Sequence, residues 1–204
     1  MLLGPGQRVL IVENQLAFET RYGLGLPIAG VYRGALNNDG DALTVMTDGN
    51  VTSLNFTFND AGAWPLEADG EGRTLVLANR TAGANYNSAA NWRASTANGG
   101  NPGGDDTSAF PGGNLLTYAL AGSEPPTLSR QPDGLLRLTH RRPLVADALE
   151  YAVETCGTLD TWVSTEATLL SQTLQPDGSV LMTWAISSAG LPAKFARLRV
   201  TLRQ

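Results

Sequence analysis

From Leu54 to Asp106 the chain passes through an alternating segment, a Trp64-Pro65 step, a glycine turn, an Asn91-Trp92-Arg93 triplet and the stretch Gly99-Gly-Asn-Pro-Gly103. In the first of these, Leu54, Phe56 and Phe58 occupy every second position, which is the period of a strand with one buried face and not that of a helix. Turn chemistry brackets it: Asp48-Gly49-Asn50 closes a hairpin before it, and Asp69-Gly-Glu-Gly72 leads into Arg73-Thr-Leu-Val-Leu-Ala78, where Leu75 and Leu77 alternate again. The stretch reads as the second half of a β-sandwich unit that ends at a boundary.

The same signals recur on both sides. Arg8–Glu13 and Ile28–Arg33 are compact apolar runs of strand length, and Ala42–Thr47 is the partner of the Val51–Phe58 strand. Between the first two, Leu16, Phe18 and Tyr22 stand where a short helix could cap the sandwich, with Asn14 as N-cap and Gly23 after the end. Past residue 112 the pattern restarts with a short helix, Asn114 as its N-cap and Gly122 as its stop. Strands are then expected at Thr127–Gln131, Leu135–Arg142, Leu149–Thr155, Ala167–Leu174, Val180–Ile186 and Phe195–Leu202. Pro-Asp-Gly turns at 132–134 and 176–178 link adjacent strands; proline presets the first turn dihedral and glycine supplies positive φ. The expected fold is all-β: two immunoglobulin-like β-sandwich modules at 1–98 and 113–204, each with one short helix, joined by a linker at 99–112.

Charge narrows the function. At 204 residues the net charge is −5, with a single lysine, Lys194, so no basic face is available to displace phosphate counterions and no nucleic-acid partner is expected. The densest basic cluster, Arg137, His140, Arg141 and Arg142, ends an apparent strand and reads as solvated charge on a sheet edge. No apolar run is long enough for a membrane helix, and the start, Met1-Leu-Leu-Gly-Pro-Gly-Gln, is a turn leading into a strand and not a secretion signal.

Candidate chemistry is sparse. Cys156 is the only cysteine and His140 the only histidine. The parity of Leu149–Cys156 puts Cys156 with Glu150, Ala152 and Glu154 on a polar face, a bystander thiol without a base beside it. Asn37, Asp39 and Asp41 have the alternating oxygens of a calcium loop, but no bidentate acid closes the loop and Asn-Asp-Gly is first a turn sequence. Glu67, Asp69 and Glu71 on a glycine turn read as loop-solvating acids and not as a glycosidase pair. Of the four tryptophans, Trp184 alternates with Met182 and Ile186 in a core pattern, Trp64 and Trp92 flank core strands, and Trp162 sits in a loop where an aromatic face could meet a sugar. No catalytic, cofactor or metal residue is assigned.

Segment 2–103 resembles the C-terminal portion of a bacterial lamin tail domain in Gly4-Pro-Gly6 before Val9-Leu-Ile-Val12, in Phe18-Glu-Thr-Arg-Tyr-Gly23, Trp64-Pro65, Asp69-Gly-Glu-Gly-Arg-Thr-Leu75, Asn91-Trp92-Arg93 and Gly99-Gly-Asn-Pro-Gly103. Segment 113–203 resembles the C-terminal β-module of large exported bacterial proteins in Asn114-Leu-Leu-Thr-Tyr-Ala-Leu-Ala121, Tyr151-Ala-Val-Glu-Thr155, Asp160-Thr-Trp162 and Phe195-Ala-Arg-Leu-Arg-Val200. The opening strands of the lamin tail domain have no counterpart, and the acidic repeat that often precedes the second module is reduced to Asp105-Asp106. The resemblance implies a non-catalytic structural or adhesive accessory region, extracellular or on the cell surface, in a fragment of a longer exported protein. Its implied partners are a protein or polysaccharide surface, and a strand-completing segment or second copy at an unpaired edge. The alternative it leaves is a carbohydrate-binding module that targets a secreted hydrolase.

Overall fold

The computed structural model describes residues 2–47, 49–81, 83–107, 110–187 and 194–203. Strands dominate it, and both expected helices are present and short. In the N-terminal half, β1 (Leu10–Val12) leads into α1 (Gln15–Tyr22), and β2 (Ile28–Val31) follows. The Asn14 side chain accepts from the Ala17 N–H at 3.0 Å and the Gly23 N–H donates to Glu19 O at 2.8 Å, so both helix ends are satisfied as the sequence suggested. β1 and β2 pair in parallel, which needs a crossover, and α1 supplies it.

The next elements are hairpins. β3 (Gly40–Met46) pairs antiparallel with β4 (Thr52–Asn59), and Leu54, Phe56 and Phe58 are the less exposed alternates of β4. Thr47 and Val51 close that hairpin; Asp48 lies outside the described residues. After a 3₁₀ turn at Leu66–Ala68, β5 (Leu75–Leu77) pairs with β6 (Trp92–Ala94). Phe56, Trp64 and Trp92 form an aromatic stack, with centroids 4.9 Å apart for the Phe56–Trp92 pair and 6.0 Å for the Trp64–Trp92 pair. The Trp92 indole N–H finds Tyr86 O at 2.8 Å, so the ring is buried without an orphaned donor.

In the C-terminal half α2 (Leu115–Ala119) is capped by Asn114, and the Gly122 N–H closes the chain after it onto Thr117 O. β7 (Thr127–Arg130), β8 (Leu136–Pro143), β10 (Ala167–Leu174) and β11 (Ser179–Ile186) form one antiparallel sheet in the order β10-β11-β8-β7. β9 (Leu149–Cys156) pairs with β12 (Phe195–Leu202) in a second. Between the two sheets Leu138, Val153, Val180, Met182, Trp184 and Ile186 form the core, with Leu169, Ala196 and Leu198 packed against it.

Two expectations change here. β8 is a central strand with β11 on one side and β7 on the other, so its basic cluster is not on an edge. His140 and Arg142 share the alternate of Leu138 and point into the interior, leaving 3% and 5% of their surfaces exposed. Cys156 is likewise buried, at the end of β9 where Phe195 of β12 pairs with it, although parity sets it with the polar alternates. The Glu154 carboxylate, holding Arg199 and Arg197, sits below the usual glutamate range.

Candidate functional site

The chain's polar chemistry is concentrated along the seam where its halves meet. Arg93, in the middle of β6, is 1% exposed. Its Nε and Nη2 reach the two oxygens of Asp147 at 2.8 and 3.0 Å, and its Nη1 reaches Asp106 Oδ2 at 2.8 Å. A planar guanidinium with five donors can engage two carboxylates at once, which an ammonium cannot do in this geometry. Burial works to lower the Arg93 pKa, but the hydrogen bonds it donates to Asp147 and Asp106 outweigh it and raise the value. Asp106 shows the opposite balance: burial would raise its carboxyl, yet Thr96 and Arg93 hold it below the usual range. The stretch 99–112, expected as a linker, therefore carries one partner of the buried ion cluster. Nearby, Arg203 donates to Ala78 O at 2.9 Å and Asp147 O at 2.8 Å, tying the end of the chain to the end of β5.

A second fastening runs through Gln172 on β10. Its Nε2 donates to Ala63 O at 2.9 Å and Ala89 O at 2.8 Å, both in the N-terminal half, while its Oε1 accepts from Arg142 at 3.2 Å. The donor Arg142 fixes which amide atom is oxygen, so the side chain's orientation follows from its partners. Arg142 also donates to Pro143 O at 3.1 Å and Leu144 O at 3.2 Å, and among the described residues no carboxylate pairs with it; burial lowers its pKa. Glu67 completes the seam. It was expected in solvent with Asp69 and Glu71, but it is 8% exposed and accepts from the Leu174 N–H at the end of β10. The 3₁₀ turn after Trp64-Pro65 aims it inward, away from the glycine turn.

His140 is satisfied on both ring nitrogens. Nε2 accepts from the Trp184 indole N–H at 3.3 Å and Nδ1 faces Arg141 O at 3.2 Å, a pattern that requires the neutral Nδ1–H tautomer. Burial pushes its pKa down to about 4. The imidazole stacks on the Tyr151 ring at 5.5 Å, and the Tyr151 hydroxyl donates to Ala119 O at 2.8 Å.

The remaining candidates separate. Asn37 Oδ1 faces the Asp39 N–H at 3.4 Å, and Asp41 accepts from the Asn37 N–H at 3.3 Å and the Ala42 N–H at 2.7 Å. These oxygens of Asn37 and Asp41 accept from backbone N–H groups of their own turn. Calorimetric titration with calcium to roughly 1 mM, the weak end of protein calcium sites, is expected to give no saturable heat; a saturable isotherm lost in Asp41→Asn would show that the turn is a site. Trp162 carries the Arg197 guanidinium over its ring at 4.1 Å, so one face is already occupied. Among the described residues no group of three or more His, Cys, Asp and Glu side chains gathers as a metal site, and no helix is long and apolar enough to cross a membrane.

One open cleft of about 510 Å³ adjoins the seam. Arg8, Tyr22, β5, Arg80 and the glycine-rich run around Gly99 and Gly100 line it. Asp105 lies at its rim between Arg8 at 3.4 Å and Arg80 at 3.6 Å. Tyr22 donates to Gly99 O at 2.9 Å, and Gly100 approaches Thr74 so closely that a Cβ there would lie 2.5 Å from its hydroxyl. Comparison with family models, with curated proteins and with solved structures returns no match.

Proposed function

We propose that the chain is a non-catalytic structural or adhesive accessory region of an exported bacterial protein, extracellular or on the cell surface, built from two immunoglobulin-like β-modules that act as one rigid body. The observation that carries this reading is the use made of the buried polar groups. Arg93, Asp106, Asp147, Gln172, Glu67 and Arg203 are spent on fastening one half to the other. A spacer or an adhesive support needs that stiffness, since small, polar interfaces between modules otherwise permit relative motion. His140, the one group that titrates near neutrality without perturbation, is held neutral inside the core, where its role is to accept the Trp184 donor.

The test is a pair of assays on the whole chain. Incubation with glycoside and phosphoester panels is expected to give no turnover above buffer, and polysaccharide affinity resins are expected to retain neither the parent nor Trp162→Ala. Saturable hydrolysis would overturn the non-catalytic reading. Retention of the parent that Trp162→Ala loses would replace it with the carbohydrate-binding alternative, using the ring face that Arg197 leaves uncovered.

A further inference from the structure

We propose that Asn50, at the tip of the β3–β4 hairpin, is an acceptor for N-linked glycosylation by a transferase whose donor is an oligosaccharide carried on a lipid pyrophosphate. Three stretches have the acceptor pattern of asparagine, any residue but proline, and serine or threonine: Asn50-Val-Thr52, Asn55-Phe-Thr57 and Asn79-Arg-Thr81. So short a pattern recurs by chance, and the structure separates the three. A transferase must reach the amide nitrogen and grip the hydroxyl two residues on, which requires both to be exposed on backbone that can bend.

Two of the three fail that requirement. The Asn55 amide donates to Thr44 Oγ1 at 3.2 Å from the middle of β4, and the Thr57 N–H is held by Asn87 Oδ1 at 2.7 Å. A strand also holds residues i and i+2 stretched about 6.6 Å apart, and bending there breaks the ladder with β3. The Asn79 amide donates to Asn91 Oδ1 at 2.9 Å, its side-chain oxygen accepts from the Thr81 N–H at 3.1 Å, and its backbone N–H is bound to Asn91 O.

Asn50 meets it. The residue is exposed, and among the described residues no hydrogen bond engages its side-chain amide. Its φ of 59° and that of Gly49, 88°, are both positive, so the chain already turns at the acceptor. Val51 and Thr52 are exposed as well, and a register shift between Val45 and Met46 interrupts the ladder just behind them. The tip is therefore the part of the hairpin most easily drawn into another protein's groove. Asp48 stands two residues before Asn50, where the longer acceptor signal of bacterial transferases has an acid; Asn55 and Asn79 have Ser53 and Leu77 there.

In the transfer, Asn50 Nδ2 attacks the anomeric carbon of the first sugar. The Nδ2–C1 bond forms, the bond from C1 to the pyrophosphate oxygen breaks with its electron pair on the leaving lipid pyrophosphate, and one amide proton passes to a carboxylate of the transferase. The product sets a bulky, hydrated group at the end of β3. β3 is an edge strand of seven residues without lysine or proline, the usual guards against pairing with another chain, and Val45 and Met46 next to the tip are exposed.

Modification in the cell rests on the export contained in the accessory reading, because such donors are used outside the cytoplasm; competence as an acceptor does not, and it is tested on the purified chain. The whole folded chain is incubated with a purified bacterial oligosaccharyltransferase and a lipid-pyrophosphate-linked oligosaccharide, and read by intact mass and peptide mapping. A single glycan at Asn50 is expected, with Asn55 and Asn79 unmodified. Asn50→Gln and Thr52→Ala should lose it, and Thr52→Ser, which keeps the hydroxyl, should retain it; a melting temperature close to the parent's reports that each variant is folded. No transfer to the folded chain overturns the proposal, as does transfer that persists in Asn50→Gln or that goes to Asn55 or Asn79 instead. The accessory reading survives each of those results, since it fails on turnover or on retention by polysaccharide resins.

Discussion

Arg93→Ala is expected to lower the stability of the whole chain by about 3–5 kcal/mol, the usual consequence of removing one partner from a buried ion cluster. The magnitude comes from what remains. Asp106 and Asp147 keep only 10% and 9% of their side-chain surfaces exposed, so both carboxylates would stay buried with their bidentate donor gone. For a domain of this size that corresponds to a fall in melting temperature of roughly 10 °C, readable by calorimetry. Arg93→Lys should fall in between, because an ammonium keeps the charge but cannot fork between two carboxylates. Arg93→Met combined with Asp106→Asn and Asp147→Asn should recover much of the loss, since the charges are then removed together. The same cluster bears on acid stability. With the Asp106 carboxyl held below its ordinary range, its contribution is present above the unfolded-state value and is lost as the pH falls through the folded one. A melting temperature unchanged in Arg93→Ala would mean that the cluster does not fasten the halves.

Lowering the pH from 6.5 to 4 is expected to remove about 3 kcal/mol of stability through His140 alone. Its pKa falls from the ordinary 6.5 to about 4 on folding, because burial disfavours the imidazolium and the Arg142 charge nearby adds to that. The unfolded chain takes up a proton below pH 6.5 while the folded chain does not until near 4, so protons favour unfolding throughout that window. At about 1.4 kcal/mol per pH unit, the roughly 2.5 units give the figure stated. Asp106, Glu154 and Glu166 have lowered pKa values and release their contributions at still lower pH, which leaves pH 5–6.5 to the one histidine of the chain. Urea unfolding at intervals across that range should show stability rising with pH and then levelling. In His140→Gln, whose amide oxygen can still accept from Trp184, the slope should flatten. An equal slope in parent and variant would contradict the buried neutral imidazole.

The strands were legible because their signals are local. Period-2 alternation marked β4 and β11, and the Pro-Asp-Gly turns fixed the β7–β8 and β10–β11 connections that the sheet uses. The parallel pairing of β1 with β2 was not legible, since periodicity says which face a strand buries and nothing about its neighbour. The burial of His140 and Arg142 was present in the pattern and overridden by composition. Both share the alternate of Leu136 and Leu138, and parity placed them inside, while their charge suggested an edge. Cys156 failed the other way: parity placed it outside, and it is buried where a strand distant in sequence pairs with the end of β9. Arg93 and Glu67 had no local signal at all. Their partners Asp147 and Leu174 come from the far half of the chain, and only the tertiary fold brings them together.

The account rests on the two halves behaving as one body, and calorimetric unfolding of the whole chain tests it most directly. A single transition whose calorimetric and van't Hoff enthalpies agree is the predicted result, with Arg93→Ala splitting or broadening it. Two resolved transitions in the parent, unchanged by Arg93→Ala, would show that the seam of Arg93, Gln172 and Glu67 does not couple the halves, and the rigid accessory reading would be wrong.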